Sequence, residues 1–284
     1  MSTAPDKLTP GQPSPGNPNA IEIRDLVVDY GERRILDQLS FDVPRGKIMV
    51  IMGGSGAGKS TLLRALLRLK PVTSGTITML GTEITSASTA ELYKIRKQMG
   101  VAFQGGALFS SMSVAENIQL ALREHTDLDD KTIEIMTRIK LDMVNMLPHE
   151  HLMPSELSGG MSKRVALARA IIMDPKLLFF DEPSSGLDPV TAAELDELII
   201  SLRESLHMTI VVVSHDLESA FAIADQIAIL GEGRILQVGT PDVIKASNSQ
   251  DIQDLLHRKV RHPRVDGEAH IRRLMGQDEQ DPRP

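Results

Sequence analysis

The sequence predicts an α/β fold in which a phosphate-binding loop sits on a mainly parallel sheet, accompanied by a small antiparallel β subdomain and a helical insertion. Three stretches carry this expectation. Residues 47–61, KIMVIMGGSGAGKST, run from a short apolar segment into glycines and then into a lysine followed by two hydroxyl residues. Residues 177–183, LLFFDEP, deliver two acids from an apolar run, as a central parallel strand does at its C-terminal end. Between about 107 and 156 the strand character is lost and helical periodicity takes over.

The loop fits G-x-x-x-x-G-K-[ST], with Gly53, Gly58, Lys59 and Ser60 at the fixed places. Consecutive backbone N–H groups must turn inward on polyphosphate oxygens, which needs residues that tolerate unusual φ/ψ and carry no Cβ. Gly53, Gly54, Gly56 and Gly58 supply this around Ser55 and Ala57. Lys59 then opens a helix whose N-terminal dipole favours anions; its ammonium can reach the β- and γ-phosphates, and the Ser60 hydroxyl can ligate Mg²⁺. Ile48–Met52 reads as a buried strand and Thr61–Leu69 as a helix.

Composition excludes several function classes. There is no cysteine, hence no disulfide and no thiolate-ligated metal. A formal charge of −7, two Tyr, six Phe and no Trp argue against a nucleic-acid partner, which needs basic surface and stacking platforms. No apolar run approaches the ~18–20 residues that cross a bilayer, and the first residues carry no apolar signal stretch. A soluble cytoplasmic subunit is expected.

Taken in order, residues 1–20, with Pro5, Pro10, Pro13, Pro15 and Pro18, read as a disordered leader. IEIRDLVVDY and RRILDQLSFDV are two β-rich segments about a turn at Gly31; Tyr30, ending the first, is either core or a base-stacking aromatic. GTITML at 75–80 is strand-like, Thr89–Lys97 a polar helix, and Met99–Phe103 a short strand ending on Gln104, with Gly105-Gly106 as a flexible joint. In the insertion, Val114–Arg123 and roughly Lys131–Leu147 are helices; Met112, Val114, Ile118, Leu120 and Leu122 form either internal core or a groove for a partner helix. Ser158-Gly159-Gly160 before a helix at Ser162–Met173 is either an ordinary cap or a second anion site. Of the adjacent acids, Asp181 is suited to hold Mg²⁺ and Glu182 to polarise an attacking water. Asp188 precedes a helix at about Val190–Leu206, and the strand at 208–214 delivers His215 to the same sheet edge as Asp181. A helix follows Pro241 and another lies near Asp251–Leu256, before the basic run HRKVRHPR at 257–264, which is either a solvated tail or a surface for the partner ATPase subunit.

With Tyr30, GGSGAGKST, Gln104, LSGGM, LLFFDEP, SGLD and His215 in that order, residues 21–245 resemble the nucleotide-binding subunit of an ABC transporter. The resemblance implies a P-loop NTPase core that binds and hydrolyses ATP with Mg²⁺. It implies an adenine-stacking Tyr30, a Gln104 that senses Mg²⁺ and couples to membrane subunits, Glu182 as general base and His215 as the switch histidine. Ser158, Gly159 and Gly160 would close over ATP bound to a second copy of the chain, and Asp188 would link the two sites. The helical subdomain would span about 105–160, with an extension from 246 to 284. One departure is Met161, where the family usually has glutamine after the two glycines. That methionine, the following KRVALARAI and the FQGGALF stretch are similar to ATPases of Mla/Mce-type lipid transporters, whereas SSGLDP differs from what close members often carry. This second likeness implies transmembrane permease subunits, a membrane-anchored Mce-type lipid-binding protein, a phospholipid cargo and a place on the inner face of the plasma membrane.

Overall fold

The structure, a computed structural model, describes residues 18–257. The leader up to residue 17 and the basic run beyond His257 lie outside the described residues. Asn19 and Ala20, expected in the leader, instead open a strand. The chain divides into two compact units, one ending at Ala246 and one beginning at Ser247.

In the first unit, β1 (Asn19–Tyr30) and β2 (Arg33–Pro44) pair antiparallel about Gly31. β3 (Ile48–Gly53) is buried along its whole length. It feeds the glycine loop and α1 (Lys59–Leu66), which ends earlier than Leu69 because Arg68 turns left-handed at φ 55°. β4 (Ser74–Met79) and the two-residue β5 (Thr82–Glu83) complete a four-stranded antiparallel sheet in the order β2-β1-β4-β5. Alternating burial gives this sheet an apolar face, and Ile21, Ile23, Leu36, Ile77 and Met79 share one core with Leu62, Leu63 and Leu66 of α1 and with Met49 and Ile51 of β3.

α2 (Thr89–Arg96) starts at a reciprocal cap between Ser88 and Glu91 and leads to β6 (Met99–Ala102). The insertion holds α3 (Val114–His125), capped in the same way by Ser113 and Glu116, and α4 (Asp130–Met143), capped by Asp129. α4 stops short of Leu147 because Asn145 adopts φ 56°, after which a single 3₁₀ turn covers Leu147–His149. α5 (Gly159–Ile171) takes in both glycines of the Ser-Gly-Gly stretch, since the Ser158 side chain accepts the Met161 N–H and so sets the start of the helix. β7 (Leu177–Asp181), α6 (Pro189–Leu206) and β8 (Thr209–Ser214) follow. Three further elements have no counterpart in the sequence expectation: α7 (Leu217–Ile223) and the hairpin of β9 (Gln226–Gly231) and β10 (Arg234–Gly239). α8 (Pro241–Lys245) closes the unit. The main sheet runs β10-β9-β3-β8-β7-β6, parallel from β9 to β6 with β10 antiparallel at the edge. The second unit contributes α9 (Gln250–Leu256) to the described residues.

The insertion resolves one open alternative. Val114, Ile118 and Leu122 lie four residues apart on α3 and are buried with Ile133 and Leu141 of α4, so they are internal core. A partner groove at Met112–Ile118 is thereby corrected. Asn117, buried on the same helix, receives the Phe109 N–H and donates to the carbonyls of Phe109, Met112 and Ser113, which fixes the segment leading into α3. Val114→Asp would bury an unpaired carboxylate, and a loss of about 3–5 kcal/mol is expected. Thermal denaturation should show this as a depressed midpoint with early protease cleavage inside 105–160; an unchanged midpoint would contradict the packing.

Candidate active site

The parallel strands end on one edge, and that edge collects the candidate residues. Gly53 ends β3, Asp181 ends β7, His215 follows β8, and Gln104 lies two residues beyond β6.

At two positions of the glycine loop, Gly53 and Gly58, the backbone leaves no room for a side chain. A Cβ on Gly53 would stand 2.2 Å from the Leu230 carbonyl oxygen, and Gly58 takes φ 107° with its Cβ position 2.6 Å from Leu36. Gly58 precedes α1 with no side-chain cap, so the first N–H groups of this helix are not claimed by a neighbouring hydroxyl or carboxylate. Ala57 is buried, Gly54, Ser55, Gly56 and Ser60 face solvent, and Thr61 is half-buried in the first turn. Lys59 folds back over its own loop, donating to the carbonyls of Gly53 (2.8 Å) and Gly54 (3.2 Å). Burial lowers the pKa of its ammonium, opposed by the charges of Glu182 and Asp181.

Asp181 is held above the ordinary carboxylate range, first by burial and then by the neighbouring Glu182, with Arg64, Lys163 and Lys59 opposing. Such a site gains from a cation, and a hydroxyl at Ser60, a carboxylate at Asp181 and an amide oxygen at Gln104 are all hard oxygen donors that suit Mg²⁺. Glu182 sits at φ 51°, and its N–H donates to the Val213 carbonyl, which bends the chain at the end of β7 toward β8. That turn places its carboxylate Oε2 2.7 Å from His215 Nδ1 and within 3.3 Å of the His215 backbone N–H. The Glu182 side chain is 13% exposed and that of His215 65%, so the acid is sheltered and the imidazole forms its outer wall. Gln104 Nε2 donates to Ser185 Oγ at 3.2 Å.

Other candidates stand apart from this cluster. Ser158 caps α5; Gly159 and Gly160 lie against Leu187 and Thr191, a Cβ on Gly160 coming within 2.6 Å of the Thr191 methyl. Among the described residues no hydrogen bond joins Ser158–Gly160 to the glycine loop. Asp188 caps α6, accepting from the N–H groups of Val190 and Thr191 and from the Thr191 hydroxyl, and the last of these pulls its pKa down. Tyr30 is 41% exposed with the Lys70 ammonium 4.0 Å from its ring centroid. Sequence reasoning missed Lys70, Ser185 and Lys163; the last touches both Gln104 and Glu182 and carries no motif signal beyond its place after LSGGM.

Comparison with known proteins places the chain in a family. The family model for ABC transporters matches residues 36–185. The chain is 43% identical over 237 residues to the intermembrane phospholipid transport system ATP-binding protein MlaF of Haemophilus influenzae, covering 84% of this chain and 89% of that one. A probable ribonucleotide transport ATP-binding protein, mkl of Mycobacterium leprae, is 38% identical over 84% of this chain and 69% of its own. Among solved structures, cbiO1 of Clostridium perfringens, part of an ABC transporter complex, superposes with a TM-score of 0.76 at 26% identity, covering 92% of this chain and all of that one. The ATP-binding cassette MJ0796, solved as a dimer in a post-hydrolysis state with ADP and Pi, gives 0.71 at 27% identity, covering 78% of this chain and 98% of that one. The chain belongs to the ABC transporter family and is a nucleotide-binding, ATP-hydrolysing member of it.

Proposed function

We propose that this ATPase works as a pair of copies that drives phospholipid transport between membranes through separate permease chains. The observation that carries the chemistry is the sheltered Glu182 carboxylate held by His215 at the strand edge that also bears the glycine loop. The cargo rests on the 43% identity to MlaF across 84% of the chain.

In this reading the α1 N-terminus and Lys59 bind the β- and γ-phosphates of ATP, and Lys59 exchanges its two loop carbonyls for phosphate oxygens. Tyr30 stacks on adenine once the Lys70 ammonium yields the ring face. Ser60, Gln104 and Asp181 would hold Mg²⁺, which would supply charge neutralisation at the phosphates. Glu182 accepts a proton from the attacking water at the carboxylate oxygen that His215 leaves free, while His215 keeps the carboxylate oriented. Ser158, Gly159 and Gly160 complete the site of a second copy, and Asp188, already committed to its cap, sets the loop between the two sites. The dimeric MJ0796 cassettes support a two-copy assembly.

Among the described residues no helix is long and apolar enough to cross a membrane, so the reading assigns passage of cargo to partner chains. These would be transmembrane permease subunits with a membrane-anchored Mce-type lipid-binding protein, and the ATPase would lie peripherally on the inner face of the inner membrane. For the permease contact we place the groove between α2, β6, α3 and α5. A cavity of about 310 Å³ opens there, lined by Tyr93, Lys97, Val101, His125, Arg169 and Met173. Tyr93 is half exposed at this mouth, so Tyr93→Asp should leave the fold intact. The variant is expected to lose at least about tenfold in association with the membrane subunits, equivalent to ~1.4 kcal/mol, while binding ATP normally. Undiminished co-purification and transport by the folded variant would remove the docking assignment.

A further inference from the structure

Lys163 lies in the second turn of α5 and is only 9% exposed. Its ammonium donates to two backbone carbonyls from different loops: that of Gln104 at 2.5 Å and that of Glu182 at 3.1 Å. Burial works against its charge, and the Glu182 and Asp181 carboxylates work for it. A charge is expensive in such a place, and filling the space would take only an apolar side chain of similar length. What the ammonium adds is a bond to each of the two loops that carry Gln104 and Glu182. Arg169, six residues further along the same helix, donates to the carbonyls of Gly106 (2.8 Å) and Ala107 (2.9 Å). The Gly106 Cβ position lies 3.0 Å from Ser162 Oγ, so the backbone there already touches α5. The Gly105-Gly106 segment, expected from its composition to be a free joint, is therefore gripped by α5 from both ends.

We propose that Lys163 is a positioning residue that locks the backbone of Gln104 and of Glu182 to α5, so that the helix capped by Ser158 carries both of them when it moves. Ser158 and Lys163 are five residues apart on one helix, a separation of about 7.5 Å along a rigid rod. In the two-copy reading on which this inference rests, Ser158 of one copy closes over nucleotide held by the other. Closure at that remote nucleotide then shifts Gln104 and Glu182 in the copy that owns Ser158. Lys163 is thus the strut by which occupancy of one site sets the geometry of the other, and its effect falls on turnover and cooperativity rather than on affinity.

The test uses the full chain and the variants Lys163→Met, an unbranched apolar chain one atom shorter that loses both bonds, and Lys163→Arg, which keeps charge and donors. Equilibrium binding of a fluorescent ATP analogue, steady-state kcat and KM, the Hill coefficient for ATP and the thermal midpoint are read for each. Lys163→Met is expected to bind nucleotide within about threefold of wild type and to lose about 10–30-fold in kcat, within the ~100-fold that a 1 Å misplacement can cost. Its Hill coefficient should fall toward one, and Lys163→Arg should recover kcat to within about threefold of wild type. Should Lys163→Met fail to fold, Lys163→Gln, which keeps one donor group, is expected to show an intermediate kcat with unchanged affinity. Wild-type kcat and cooperativity in Lys163→Met would overturn the proposal. So would a loss of affinity and stability in step with kcat that Lys163→Arg does not rescue. Failure of the underlying two-copy reading is separately visible: Glu182→Gln would then sediment as a monomer in Mg-ATP, whatever the Lys163 variants do.

Discussion

Glu182→Gln is expected to bind ATP as tightly as the wild type and to hydrolyse it about 10²–10⁴-fold more slowly, the range that a positioned general base supplies. The substitution keeps the shape of the side chain and leaves the glycine loop and Lys59 untouched. It also removes a negative charge that helps to hold Asp181 above its ordinary range, so affinity for a nucleotide polyanion does not suffer. With turnover blocked, bound ATP should hold two copies together, and sedimentation of Glu182→Gln should show a dimer with Mg-ATP and a monomer without it. Equal monomer fractions in a protein shown to bind nucleotide would contradict the two-copy site.

Lys59→Ala should fail at the opposite step. It removes the ammonium that faces the phosphates, and charge-assisted hydrogen bonds of about 1.5–3 kcal/mol translate into a loss of roughly 10–150-fold in ATP affinity. The same truncation releases the carbonyls of Gly53 and Gly54, so the loop is also less well ordered for binding. Equilibrium binding and single-turnover hydrolysis measured side by side separate the variants. If Glu182→Gln binds ATP no better than Lys59→Ala, the roles given to the two residues are wrong.

Much of the core was legible because strands buried on both faces read as continuous apolar runs, and β3, β7 and β8 each end in or run directly into a residue with chemistry. Their adjacency was not. That Glu182 meets His215 depends on β7 lying beside β8 and on a left-handed turn that sends the Glu182 N–H to Val213, neither of which a one-dimensional pattern contains. Periodicity placed Val114, Ile118 and Leu122 on one face of a helix but could not say what covers it; α3 packs on α4 and α5 of the same chain, and these three side chains are buried without a partner. α7 is too short for helical periodicity to discriminate, whereas β9, buried along Ile227–Leu230, is as long as β3 but ends in no residue with chemistry to mark it. Lys163 was invisible for another reason. A lysine in a helix rich in Arg and Ala ordinarily belongs to a solvated face, and only the packing of α5 against the loop at Gln104 turns it inward.

In the proposed function, hydrolysis at this site is spent on moving phospholipid. This is tested most directly by assembling the ATPase with its co-purifying membrane subunits in vesicles and following transfer of a labelled phospholipid, with a labelled ribonucleotide as the competing cargo. The account predicts phospholipid transfer that requires Mg-ATP and stops in Glu182→Gln, with the ribonucleotide left where it started. Transfer of the ribonucleotide without phospholipid, or phospholipid transfer that continues unchanged in Glu182→Gln, would contradict it.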